Sequence, residues 1–75
     1  MLYLRLRGRI VEKFRSQSAF AAAMGWYESR LSAKLNGKSQ WTFNEVMKAC
    51  ELLEIPVDEA HLYFFCDNSY ENVTN

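Results

Sequence analysis

Residues 16–37 read Ser16-Gln17-Ser18-Ala19-Phe20-Ala21-Ala22-Ala23-Met24-Gly25-Trp26-Tyr27-Glu28-Ser29-Arg30-Leu31-Ser32-Ala33-Lys34-Leu35-Asn36-Gly37. The Ser16 hydroxyl is placed to cap a helix over residues 17–24, on which Phe20, Ala21 and Met24 share a face. Glycine takes a left-handed backbone at no steric cost, so Gly25 ends that helix and turns the chain sharply through Trp26. Residues 27–35 then place Leu31 and Leu35 four apart, one helical turn, and Asn36-Gly37 supplies the stop signal. Two short helices joined by a tight glycine turn form a helix-turn-helix unit.

Upstream, Tyr3, Leu6, Ile10 and Phe14 recur at steps of three and four, the period of one helical face, with arginines and Lys13 on the others. Gly8 within this first helix costs about 1 kcal/mol relative to alanine. It therefore marks either a close helix contact or a later helix start. Downstream, Thr42-Phe43-Asn44-Glu45 is a capping box, with Trp41 and Val46 as a hydrophobic staple. The fourth helix is expected to run to about Glu54 with Phe43, Val46, Met47, Cys50 and Leu53 inward. Pro56 with Asp58 and Glu59 is expected to open a fifth helix reaching about Phe65. No strand pattern or repeat competes. The expectation is an all-α, compact five-helix bundle with the helix-turn-helix in helices two and three, a domain over residues 1–67 and a flexible tail over 68–75.

With 75 residues, 49% of them hydrophobic and 15% aromatic, the chain has length for one domain and apolar surface for a packed core. Cys50 and Cys66 have neither metal-site spacing nor the density of a disulfide scaffold, so buried thiols are expected, with no metal and no cofactor. No His, Cys or Ser is arranged as a nucleophile and base, which reads against an enzyme and against a small-molecule substrate. Charges interrupt the opening Met1-Leu2-Tyr3-Leu4-Arg5-Leu6-Arg7, so neither a signal peptide nor a membrane span is expected, and the location read is cytoplasmic.

The net charge is zero but unevenly distributed. Residues 1–40 hold eight cations against Glu12 and Glu28, whereas residues 41–75 hold Lys48 against seven carboxylates. Such a split marks either a basic end for an anionic partner or a solvated charged surface.

The stretch from Ser16 to Gly37 resembles the helix-turn-helix of the lambda-repressor/Cro family. The resemblance rests on Gln17 opening the first helix, Ala21 four residues on, Met24-Gly25 at the turn, apolar residues at 31 and 35, and the closing Asn36-Gly37. It extends over all five helices. It implies the lambda-repressor-like fold and a sequence-specific DNA-binding transcriptional regulator of Cro or repressor type, similar to the small temperate-phage regulators of the lysis-lysogeny switch. It also implies action at the nucleoid of a bacterial host. In that family the residues matching Gln17, Glu28, Ser29, Ala33 and Asn36 make or support DNA contacts.

Helical geometry agrees, because at about 100° per residue Ser29 and Ala33 point nearly opposite Leu31 and Leu35, flanked by Glu28, Arg30 and Ser32. These five are the expected base contacts, with Arg30 forked onto guanine and Ala33 on a thymine methyl. Arg30 equally reads as one half of an ion pair with Glu28 or another neighbour. Phosphate contacts are expected from Gln17, Tyr27, Lys34, Asn36, Lys38, Ser39 and Gln40, the alternative for Lys34 and Lys38 being plain solvation. Tyr27 stands where a small capping residue is usual. It either packs with Trp26 against the first helix or offers its hydroxyl to a phosphate. Glu28 stands where glutamine is common, and its carboxylate suits only a cytosine amino group.

His61-Leu62-Tyr63-Phe64-Phe65-Cys66 is apolar around nearly the whole circumference of a helix, more than so small a core hides. His61, Leu62, Phe64 and Phe65 are therefore the expected protein interface, unless Leu62 and Phe65 only complete the core. The resemblance implies a homodimer here, presenting two recognition helices about 34 Å apart to double-stranded operator DNA. The alternative function is a modulator, or antirepressor, that uses the same fold to bind a partner repressor protein instead of DNA. The neutral net charge, Glu28 and the acidic, aromatic second half favour it; the unbroken motif favours DNA.

Overall fold

The structure, a computed structural model, describes residues 2–65; Cys66 and the expected tail over 68–75 lie outside the described residues. Five helices follow in order: α1 (Leu4–Phe14), α2 (Gln17–Met24), α3 (Glu28–Leu35), α4 (Phe43–Leu53) and α5 (Ala60–Phe64). A single 3-10 turn, Val57–Glu59, precedes α5, and there is no strand among the described residues.

The local signals act as the sequence implies. Ser16 Oγ accepts from the Ala19 amide at 3.1 Å. Gly25 sits at φ 82°, and the chain closes behind α2 through Gly25 N–H on the Ala22 carbonyl (3.0 Å) and Trp26 N–H on the Ala21 carbonyl (2.9 Å). At α4 the capping box is complete: Thr42 N–H donates to Glu45 Oε1 at 2.9 Å, and Glu45 N–H donates to Thr42 Oγ1 at 3.2 Å. Gly37, at φ 77°, turns the chain out of α3 against Leu2, whose Cδ1 would lie 2.7 Å from any added Cβ.

One core forms where the apolar faces meet. It takes Leu6 and Ile10 from α1, Phe20, Ala21 and Met24 from α2, and Leu31 and Leu35 from α3. Val46, Ala49, Cys50 and Leu53 of α4, then Ile55, Ala60 and Phe64, close it from the other side. Burial pushes the Cys50 thiol up from its ordinary pKa, as expected of a thiol that packs as a small hydrophobe.

Three expectations are corrected. Gly8 marks neither a close contact nor a late start: α1 runs through it from Leu4, and the space beside it is open. Phe43 is not inward but 75% exposed, because it opens the first turn of α4 beyond the end of the core. Trp41 fills that end instead, its ring packed edge-on against Phe64 with centroids 4.9 Å apart. The fifth helix is also shorter than expected, since Pro56 leads into the 3-10 turn rather than directly into an α-helix.

The uneven charge has a structural outlet. The last carbonyls of a helix lack intrahelical donors and carry the negative end of its dipole. Cations distant in sequence satisfy them here. Arg7 donates to the Leu35 carbonyl of α3 at 2.7 Å, and Arg9 donates to the carbonyls of Leu53 (2.9 Å) and Glu54 (3.1 Å) behind α4. Lys48 donates to the Met24 carbonyl of α2 at 3.2 Å. Lys13 pairs with Glu54 at 2.8 Å. Much of the basic first half thus fastens α1 to the ends of α3 and α4.

Candidate functional site

The helix-turn-helix is formed by α2 and α3, with the outer face of α3 as its presenting surface. What that surface offers is decided by a carboxylate on α4. Glu45, held in place by the capping box, accepts from Lys34 Nζ at 2.9 Å through Oε1 and from Arg30 at 3.0 Å through Oε2. Burial alone would raise the Glu45 pKa. The Thr42 amide, Lys34 and Arg30 outweigh burial and hold it at about 2. Lys34 is only 4% exposed and also donates to Ser39 Oγ (3.3 Å) and the Gln40 carbonyl (2.8 Å). Trp26 lies under both cations, with the Arg30 guanidinium 4.6 Å and the Lys34 ammonium 5.5 Å from its ring centroid. Trp41 packs on Trp26 at 5.7 Å. Arg30 on the first turn of α3 and Lys34 on its last are therefore both joined to the first turn of α4 by an aromatic-lined junction in which one carboxylate serves two cations.

Of the expected base-contacting residues, Glu28 and Ser29 are exposed on α3, and Ser32 and Ala33 are half-buried. Arg30 is turned to Glu45 and Trp26, the ion-pair alternative with a partner other than Glu28. Ser32 accepts from Asn36 Nδ2 at 3.2 Å, and Asn36 Oδ1 accepts from Arg7 at 3.0 Å. Asn36, expected on a phosphate, is thus engaged on both sides of its amide.

Among the other expected phosphate contacts Lys34 is corrected outright: its ammonium is buried against Glu45 and is not available at the surface. Ser39 and Gln40 serve that same ammonium as acceptors, and Gln17 is half-buried at the start of α2. Tyr27 caps α3 without any side-chain cap bond and is 86% exposed, so it does not pack against α1. Lys38 is exposed, and among the described residues no carboxylate pairs with it.

At the C-terminal face the expected interface divides. Phe64 is corrected: it is 2% exposed and belongs to the core, under Trp41. His61 and Phe65 are exposed and Leu62 is half-buried. Among the described residues no group of three His, Cys, Asp or Glu side chains is placed to hold a metal, and no helix is long and apolar enough to cross a membrane.

Sequence reasoning missed Glu45 as the organiser of α3, having read it only as a capping-box residue. The missed signal lay in the spacing, for Leu31, Lys34 and Leu35 fall at i, i+3 and i+4, the positions of one helical face. A lysine on an inward face requires a buried counter-charge. Arg7, which fixes both Leu35 and Asn36, gave no local signal, since its partners lie 28 and 29 residues away.

Fold and site together define a small all-helical domain in which two short helices meet at a glycine turn, with Lys34 of α3 buried and the exposed Arg30 paired with Glu45. The chain belongs to the DUF739 family, described as a protein of unknown function, whose sequence profile matches residues 1–67. It is similar to the modulator of repression (MOR) of the temperate bacteriophage TP901-1 from Lactococcus lactis, known from its solution structure. The two are 43% identical with a TM-score of 0.77, over 84% of this chain and 85% of that one. No curated protein matches the chain.

Proposed function

We propose that this chain is a phage modulator of repression that binds a partner repressor protein rather than operator DNA. The observation that carries the proposal is the pairing of Glu45 with both cations of α3. DNA affinity comes largely from cations laid against phosphates, each releasing a counterion. With Arg30 paired and Lys34 buried, α3 turns the carboxylate of Glu28 and neutral side chains outward, with Lys38 beyond its end. A surface of this kind suits a protein partner. The name of the similar phage protein supports the same reading.

The role is regulatory and non-enzymatic, and it is exercised in the cytoplasm of the bacterial host. Titrating the chain into a purified temperate-phage repressor, followed by calorimetry, tests the proposal. Saturable binding is expected, and its absence overturns the reading.

Operator recognition is the second reading, in which the chain binds as a dimer through its C-terminal face. In its favour are the intact α2–turn–α3 geometry and the exposure of Ser29 and Lys38. It predicts that Lys38→Ala lowers affinity for all DNA alike and reduces the salt slope by about 1.

A further inference from the structure

Of the five cations on α1 and its C-cap, three serve the fold and two do not. Arg7 and Arg9 reach the ends of α3 and α4, and Lys13 pairs with Glu54. Arg5 and Arg15 are exposed, and among the described residues no carboxylate pairs with either. Glu12, the one carboxylate on α1, is already matched by Arg9. The outward side of α1 thus holds two matched ion pairs and two unmatched arginines, a net positive charge.

Gly8 stands at the middle of that side. Residues three and four away are surface neighbours on a helix, which for Gly8 means Leu4, Arg5, Val11 and Glu12. All four are exposed, so helix geometry and exposure place them on one surface with Gly8. Leu4 and Val11, two turns apart, are large apolar side chains left 62% and 51% exposed. Arg15 follows one turn beyond Val11, its amide donating to the Val11 carbonyl at 2.9 Å. A Cβ at Gly8 would meet nothing within 4 Å, so the fold itself does not require a residue that weakens the helix relative to alanine. A residue that breaks a local rule without serving the fold points to function. Glycine leaves a notch between two apolar side chains, where another backbone can approach closely.

We infer that the outer face of α1 seats an acidic amphipathic helix of the repressor, which crosses at Gly8 and lays apolar side chains over Leu4 and Val11 and carboxylates against Arg5 and Arg15. The inference rests on the modulator reading above and adds α1 to the surface the partner uses. Charge complementarity selects the occupant, because the two unmatched arginines call for an anionic partner. Arg5 and Arg15 are about 15 Å apart along the axis at about 1.5 Å per residue, so the partner's carboxylates stand about three turns apart. An α1–α1 contact with a second copy would set the same arginines against each other. DNA would pair with the arginines but gain nothing from Leu4, Val11 or the notch.

The test is calorimetry of the full chain with a purified temperate-phage repressor at low and physiological salt, using Gly8→Ala, Val11→Ser and Arg5→Glu, with Val57→Ser as a control on another exposed apolar residue. Thermal melts followed by circular dichroism check folding, which none of these exposed positions should abolish. Gly8→Ala should melt higher than the parent, since its methyl meets open space and alanine favours the helix, yet bind about fivefold more weakly. A purely structural role would move both readings the same way. Val11→Ser should weaken binding about tenfold, and Arg5→Glu about tenfold at low salt with a smaller salt dependence, while Val57→Ser stays within about twofold of the parent. Parent-like binding by Gly8→Ala and Val11→Ser overturns this surface, whatever Arg5→Glu does, and leaves the modulator reading standing. No binding by the parent chain overturns both. If the chain self-associates and Val11→Ser makes it monomeric, or if Arg5→Glu loosens a DNA retention that Val11→Ser leaves intact, the face serves a second copy or DNA and the inference fails.

Discussion

Lys34 Nζ lies 2.9 Å from Glu45 Oε1, a buried cation of α3 held by the carboxylate that also completes the cap of α4. This contact ties α3 to the first turn of α4 and takes one positive charge away from the solvent-facing surface of α3. A buried pair adds little net stability, because desolvation offsets the attraction, but breaking one half leaves the other uncompensated. Lys34→Ala is therefore expected to cost about 3–5 kcal/mol in urea unfolding. Arg30→Ala, removing a half-exposed partner, should cost less than about 1 kcal/mol. Equal costs would show that the two cations share the load.

The depressed Glu45 pKa sets an acid limit. In the folded chain it is about 2, against 4.5 for the free group. The folded value is the lower one, so its stabilising contribution is complete above about pH 4.5 and is lost as pH falls toward 2. The size is on the order of 2 kcal/mol after allowing for partial solvent screening. Glu45→Gln should lower stability at neutral pH and flatten its decline between those limits. A variant whose pH profile runs parallel to the parent's would refute the assignment.

Gly25 and Gly37 separate backbone strain from crowding. Both have positive φ, but a Cβ at Gly25 meets open space while one at Gly37 meets Leu2. Gly25→Ala should cost about 1–2 kcal/mol from conformation alone. Gly37→Ala should cost the same plus the displacement of Leu2, and the additional loss should vanish on a Leu2→Ala background. A thermal-melt double-mutant cycle reads the difference.

Most of the fold was legible because its determinants are local. The Ser16 cap, the left-handed Gly25, the Thr42–Glu45 box and the Leu31/Leu35 period each operate within a few residues, and each stands as read. The site was less legible, because its determinants are long-range. Whether Arg30 faces a groove or a carboxylate depends on Glu45, fifteen positions away, and whether the arginines of α1 meet a partner depends on which helix ends lie beside them. The inward place of Lys34 was written in its spacing but masked by its charge. Phe64 and Phe65 are identical in type, but Phe64, one turn after the buried Ala60, lies in the core against Trp41, while Phe65 is exposed.

Leu35 and Cys50 test the core from two sides. Leu35 is fully buried, and Leu35→Ala should cost roughly 2–5 kcal/mol, enough to unfold much of so small a domain. Cys50, buried with a raised pKa, should label slowly with a thiol reagent in the native state and rapidly in denaturant. A Cys66→Ser background isolates its signal. Rapid native labelling there would show that the α4 face is misassigned.

The central claim, that a protein and not DNA is the ligand, is tested most directly by fluorescence anisotropy of a labelled operator fragment at physiological salt. The fragment is titrated first with this chain alone and then with the phage repressor that recognises it at increasing ratios of this chain. The account predicts that the chain alone retains the operator no better than random sequence, and that adding it to the repressor shifts the repressor's operator affinity in a saturable way. Tight binding of the operator by the chain alone, weakened by Lys38→Ala and with no effect of the chain on the repressor, would contradict it.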